Sequence, residues 1–75
     1  MNEAKMIDPD CYIVRIEETA RMCGTTRKGL DNLRIKDPTF PKPVPLSNST
    51  ARNAPRGFVF GEVRDWIEKR KALRQ

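Results

Sequence analysis

The sequence predicts a mostly α-helical domain that carries one small β-hairpin. Three observations lead to this prediction: two short helical segments around a glycine turn, two strand segments around a polar loop, and an amphipathic helix near the C-terminus. A chain of 75 residues can bury one hydrophobic core but not two. We therefore expect residues 1–11 to form a polar N-terminal tail and residues 12–75 to form a single domain.

Helix one is predicted over residues 17–23. The apolar side chains in this region recur every three or four residues, which is the period of one helix face, at Ile13, Ile16, Ala20 and Cys23. Gly24 follows and can adopt the left-handed backbone conformation that ends a helix. Residues 12–14 alternate too briefly to predict more than a short extended lead-in.

Helix two is predicted to begin after Thr25 and Thr26, either of which can cap it. Leu30 and Leu33 give this helix an inward edge, and the prolines from Pro38 onward end it. Two short helices joined by a tight turn that contains glycine are typical of a helix-turn-helix.

A β-hairpin is predicted from residues 44–46 and 58–60, which contain strong strand formers. Residues 47–55 between them are mostly polar, and Arg52 and Arg56 lie on or near the tip of the hairpin. A surface loop with incidental arginines is the alternative interpretation of this segment.

The C-terminal helix is predicted from Gly61 onward. Val63, Trp66 and Ile67 recur at helical spacing and form one apolar stripe, and cations occupy the last turns. We expect Trp66 to be the largest core side chain, packed against Phe58, Leu30 and Ile16.

Positive charge is concentrated in the middle of the chain. Residues 1–20 have a net charge of −3, whereas residues 21–56 carry eight Lys or Arg against two Asp, a net charge of +6. A basic block in a small domain indicates a polyanionic partner such as nucleic acid. A solvated basic surface without a partner is the alternative.

The residue types that catalysis requires are missing from the expected places. The chain has no His, and it has neither paired carboxylates on an apolar helix face nor a glycine-rich phosphate loop, so we expect no enzymatic activity. Cys11 and Cys23 stand twelve residues apart without further Cys or His, so we expect no zinc site, no other metal or cofactor, and no disulfide.

The apolar runs of the sequence are short. They fall well below the ~20 residues that span a bilayer, so no membrane association is predicted. Residues 1–10 lack the apolar stretch of a secretory signal, so we expect a cytoplasmic location.

The order helix, turn, helix, hairpin, helix over residues 13–70 resembles the AlpA-type prophage regulators and the related small phage excisionases, which have a MerR-like winged helix-turn-helix. The most specific matching stretch is Phe40-Pro41-Lys42-Pro43-Val44. The other matching stretches are Ile16-Glu17-Glu18-Thr19-Ala20 before Gly24, Thr26-Arg27-Lys28, and Arg56-x-Phe58 with Glu62-Val63-x-x-Trp66-Ile67.

Two features depart from the family pattern. The family has Ser-x-x-Thr at the start of helix two, followed by an apolar and an aromatic residue, where this chain has Thr26, Gly29, Leu30 and Asp31. Gly29 costs about 1 kcal/mol of helix propensity relative to Ala, and it would let the backbone approach a phosphate closely. The hairpin loop is also longer than the family usually has.

The resemblance implies a bacterial or phage-encoded, nucleoid-associated protein that binds double-stranded DNA sequence-specifically. It would act as an excisionase, or as a regulator of integrase-driven excision of a prophage or mobile element. The resemblance also implies cooperative self-association on DNA and contact with a phage-type integrase. Two alternatives remain open: a promoter-binding transcription regulator without a role in recombination, and a winged-helix protein-binding module.

The predicted site places helix two in the major groove and the hairpin, as a wing, on the adjacent minor groove or its phosphates. Arg27 is predicted to make a bidentate contact to guanine, and Lys28 to act as a point charge on base or phosphate. Asp31 is expected to pair with Arg27 or Arg34, or to accept from a cytosine amino group. The predicted DNA contacts of helix two are Thr25, Thr26, Arg27, Lys28, Asn32, Arg34 and Lys36, and those of the wing are Arg52 and Arg56.

Overall fold

A computed structural model of the chain describes residues 8–74, and these residues form three helices and a three-stranded antiparallel sheet. The fold is a small α+β fold. Residues 1–7 of the predicted tail lie outside the described part. The elements in chain order are β1 (Ile13–Arg15), α1 (Ile16–Met22), α2 (Arg27–Lys36), β2 (Val44–Pro45), β3 (Arg56–Val59) and α3 (Phe60–Ala72).

The sheet has the strand order β1-β3-β2, with β3 in the middle. Val14 of β1 lies opposite Phe58 of β3, and Val44 of β2 lies opposite Gly57. The predicted hairpin is therefore present, but β3 ends at Val59 and Phe60 already belongs to α3. The predicted lead-in before helix one is a strand of the same sheet, paired with β3. The local sequence pattern does not show this strand, because its pairing partner comes much later in the chain.

The first two helices lie close to their predicted positions. α1 begins and ends one residue earlier than expected, and Gly24 ends it with a φ of 70°. α2 is capped by Thr26, whose Oγ1 accepts a hydrogen bond from the backbone N–H of Gly29 at 3.1 Å. The backbone N–H of Thr25 instead donates to the carbonyl of Ala20, so Thr25 belongs to the turn that closes α1.

The core is centred on Phe58, Leu30 and Val63, which are fully buried. Thr19 is buried among them, and its hydroxyl donates to the carbonyl of Arg15 at 2.9 Å, which satisfies the hydrogen-bonding need of that polar group. One side of the sheet and the inner sides of α1, α2 and α3 meet in this core, whose remaining buried apolar residues are Val14, Ala20 and Phe40.

Trp66 lies at the edge of the core and is only half-buried, so its expected place as the largest core side chain is wrong. Its ring packs edge-on against Phe40, with ring centroids 4.8 Å apart. Its Nε1–H donates to Asp37 Oδ2 at 3.1 Å, and this bond explains the position, because an indole N–H needs an acceptor that the apolar centre does not offer. The contact joins the end of α2 to α3.

Candidate nucleic-acid interface

The outward side of α2 carries most of the predicted DNA contacts. Leu30 is fully buried and Leu33 is half-buried, so these two side chains define the side of α2 that faces the core. The residues on the opposite side and its flanks are all exposed, and they are Arg27, Lys28, Asp31, Asn32, Ile35 and Lys36. The helix therefore presents Lys28, Asn32 and Lys36 together, as the sequence predicts.

The two threonines before α2 differ in their exposure and in their contacts with the first turn of this helix. Thr26 is exposed, and because its Oγ1 accepts the Gly29 N–H, its own O–H remains able to donate to a phosphate. Thr25 is half-buried, and a Cβ on Gly29 would collide with its Oγ1. The glycine in helix two thus has a steric reason within the protein, which is to make room for the side chain of Thr25.

Arg27 forms an ion pair between α2 and α1. Its Nη1 donates to Glu17 Oε2 at 3.2 Å, and the two side chains are 63% and 61% exposed. Exposed ion pairs of this kind contribute only about 0–1 kcal/mol. A phosphate or a guanine edge can therefore replace Glu17 as the partner of Arg27 at small energetic cost.

Arg34 is the most enclosed of the predicted DNA-binding cations. Its side chain is 29% exposed, and its guanidinium carbon lies 5.7 Å from the ring centroid of Phe58. Arg34 Nη1 also lies 3.6 Å from Asp31 Oδ1, so Asp31 pairs with Arg34 and not with Arg27. Much of the Arg34 side chain covers the core, and less than a third of the side chain is exposed to solvent.

A cleft of about 120 Å³ brings together arginines from three separate elements. Arg15 at the end of β1, Arg27 at the start of α2 and Arg56 at the start of β3 all line it, together with Glu17 and residues 53–55. The predicted helix-two cation and one predicted wing cation therefore meet. Arg15 was not among the predicted site residues, because its place follows from the pairing of β1 with β3, in which it lies opposite Gly57 beside Arg56.

Arg52 lies apart from this cleft. It is exposed in a turn that the backbone N–H of Ala54 closes by donating to the carbonyl of Ala51 at 3.0 Å. The backbone N–H of Leu46 donates to the carbonyl of Pro55, which closes the base of the hairpin loop, residues 46–55. The two predicted wing arginines thus occupy different surroundings, with Arg56 at the cleft and Arg52 in the loop.

Among residues 8–74, three groups have shifted pKa values, and none of the three lines the cleft. The negative charge of Asp8 raises the pKa of the Cys11 thiol, and burial raises the pKa of the Cys23 thiol. Both cysteines are free thiols, and a raised pKa makes a thiol a poorer nucleophile at neutral pH. Hydrogen bonds from Thr39, with help from Trp66 and Arg70, lower the pKa of Asp37.

Within residues 8–74, no group of three or more His, Cys, Asp or Glu side chains is arranged to hold a metal ion. No helix in this part of the chain has both the length and the apolar character needed to cross a membrane. Comparison of the chain with protein-family models, with curated proteins and with solved structures gave no match.

Proposed function

We propose that the chain is a winged helix-turn-helix protein that binds double-stranded DNA sequence-specifically, with α2 in the major groove and the hairpin loop as the wing. The observation that carries this proposal is the cleft at which Arg27 and Arg56 meet. Cations from the start of the helix and from the start of β3 line the same cleft, so one stretch of duplex can contact both elements at once.

The dimensions and the charges of α2 support the proposed docking. Its ten residues span about 15 Å, which suits a major groove about 12 Å wide. Arg27 exchanges Glu17 for a guanine edge, Lys28 and Asn32 face the groove from the outward side of the helix, and Arg15 and Arg56 neutralise phosphates beside it. Arg52 contacts the backbone further along the wing.

We propose excision of a prophage or mobile element, or its regulation, as the biological role. The resemblance of residues 13–70 to AlpA-type regulators and small phage excisionases supports this role, and it implies self-association on DNA and a phage-type integrase as partner. Strand cleavage would then belong to the integrase, and this protein would organise the DNA.

The binding proposal is tested by selecting a preferred site from random duplexes and then measuring fluorescence anisotropy on selected and scrambled duplexes. We expect roughly tenfold or greater preference for the selected duplex and a linear fall of log K with log salt, with a slope of about −0.9 for each phosphate contacted. A protein that binds no duplex at roughly 50 mM salt would contradict the proposal and favour the protein-binding alternative.

The role is tested separately, by measuring excision of an element in cells that supply its integrase with and without this protein. We expect excision to depend on the protein. Excision that proceeds unchanged, while the protein still occupies a promoter, would instead support the transcription regulator without a role in recombination.

A further inference from the structure

Ile35 is the most exposed large apolar side chain of residues 8–74, with 81% of its surface accessible. It lies on α2, on the side opposite Leu30 and Leu33, so it contributes little to the core. Seven residues are close to two helical turns, and Ile35 therefore lies almost in line with Lys28, with Asn32 between them. An isoleucine thus stands among the polar residues of the proposed groove-facing side.

We propose that Ile35 is a specificity-determining residue that packs against the 5-methyl group of a thymine. This inference rests on the proposed function. In the major groove the thymine methyl is the apolar group that distinguishes one base edge from the others, and apolar side chains contact it. Phosphates and polar base edges offer an isoleucine no comparable partner.

The surroundings of Ile35 favour DNA over a protein as the occupant. Ile35 lines a surface depression together with Arg34, Lys42 and the apolar residues Pro38, Phe40, Pro41 and Pro43, and Lys36 follows Ile35 on the helix. Asp31 and Asp37 also line the depression, but Asp31 pairs with Arg34, and Asp37 accepts hydrogen bonds from Thr39 and Trp66. Within residues 8–74 neither Lys36 nor Lys42 has a carboxylate at ion-pair distance.

The other exposed large apolar side chains of the described part do not extend this patch. Tyr12, Leu46 and Leu73 are absent from the lining of the depression. Among the other apolar residues that line the depression, Phe40 is buried, Pro41 and Pro43 are half-buried, and Pro38 is exposed. Ile35 is therefore the large apolar side chain that stands furthest out of this surface, next to cations, and this arrangement suits a thymine methyl group in a duplex flanked by phosphates.

The spacing on α2 also predicts where the thymine lies. The rise from Lys28 to Ile35 is about 10 Å, so the two side chains reach different base pairs along the groove. The thymine should therefore lie on a different base pair from the one that Lys28 contacts.

The test replaces each thymine of the selected duplex in turn by deoxyuridine, which removes only the 5-methyl group. At one position the wild-type protein should lose about fourfold in affinity, the factor that corresponds to one buried methyl-sized group. Ile35→Ala should bind the unmodified duplex with the same reduced affinity and should no longer distinguish thymine from uracil at that position. Leu73→Ala, which removes an exposed leucine at the end of α3, is the matched control and should keep the discrimination.

The outcomes separate this inference from the proposed function. Specific binding by a wild-type protein that shows no thymine-methyl effect, or an Ile35→Ala variant that keeps the full effect, would overturn the inference alone. A selected site that contains no thymine would do the same. Failure of the wild-type protein to bind any duplex would overturn both. A melting curve for each variant confirms that the folded protein is being compared.

Discussion

α2 and the hairpin both carry cations of the proposed interface, but the fold holds the helix and the hairpin loop differently. α2 is capped by Thr26, anchored in the core by Leu30 and joined to α3 through the bond between Asp37 and Trp66. Residues 46–53 of the loop are all exposed. Hydrogen bonds within this stretch join residues two positions apart, since the hydroxyl oxygens of Ser47 and Ser49 accept from the backbone N–H groups of Ser49 and Ala51. A helix fixed at both ends can hold side chains in register with base edges, whereas the loop supplies charge.

The cations of the two regions also differ in their partners. Both arginines of α2 are paired, Arg27 with Glu17 and Arg34 with Asp31, whereas Arg52 and Arg56 have no carboxylate at ion-pair distance among residues 8–74. Arg52 in the loop and Arg56 at the start of β3 are therefore available to any phosphate. Arg27 must first exchange a partner, and this requirement favours sites that offer it a good acceptor over random DNA.

Truncation of Leu30, which anchors α2 in the core, should destabilise the protein most. Leu30→Ala should lower the free energy of unfolding by about 2–5 kcal/mol, the usual result of truncating a buried leucine. The same change in the loop, Leu46→Ala, should lower it by about 0.5 kcal/mol or less, because that side chain is 41% exposed. Urea unfolding curves measure both values. Equal losses in the two variants would show that the loop is as firmly held as the helix.

The second prediction concerns the loss of stability at low pH through Asp37, at the C-terminal end of α2. The pKa of Asp37 is lower in the folded protein than in the unfolded chain, so the stability that its carboxylate contributes is present above the unfolded pKa. This contribution is lost as the pH falls through the folded pKa, in the range below about pH 4. Asp37→Asn should therefore reduce stability at neutral pH and make it less dependent on pH in acid. Melting curves between neutral pH and pH 3 test this, and an unchanged acid profile in the variant would contradict it.

The smallest effect concerns the partner of Arg27. Glu17→Gln should raise affinity for selected and scrambled duplexes by roughly two- to fivefold, since an exposed ion pair contributes about 0.2–1 kcal/mol. Glu18→Gln removes the same charge but frees Arg21 and not Arg27, which makes it the matched control. Anisotropy titrations should show the larger increase for Glu17→Gln. Equal increases would mean that net charge matters and that release of Arg27 does not.

The elements that local patterns determine could be predicted from the sequence. Gly24, Thr26 and the apolar spacing of Leu30 and Leu33 are local signals, and the bounds of α1 and α2 agree with the predicted bounds to within one or two residues. The strand β1 could not be predicted in this way, because three residues become a strand only through pairing with a distant partner.

In the candidate site, too, features set by local periodicity could be predicted and features set by distant contacts could not. Exposure of Lys28, Asn32 and Lys36 follows from helical periodicity, which the sequence displays. The meeting of Arg15 with Arg27 and Arg56 depends on sheet register, and the position of Trp66 depends on an acceptor, Asp37, that lies far from it in sequence. Contacts between distant segments of this kind leave no periodic signal.

In the proposed complex, helix two selects the sequence while the hairpin supplies charge to the same duplex. Anisotropy on selected and scrambled duplexes at several salt concentrations tests this claim. Arg27→Ala should lose roughly 1–3 kcal/mol of binding free energy on the selected duplex, and its preference at one base pair should relax. Arg56→Ala and Arg52→Ala should weaken binding to both duplexes equally. Each should also reduce the slope of log K against log salt by about 0.9. Arg64→Ala, an equal charge change on α3, should alter neither quantity, and Arg27 and Arg56 variants that behave like it would contradict the claim.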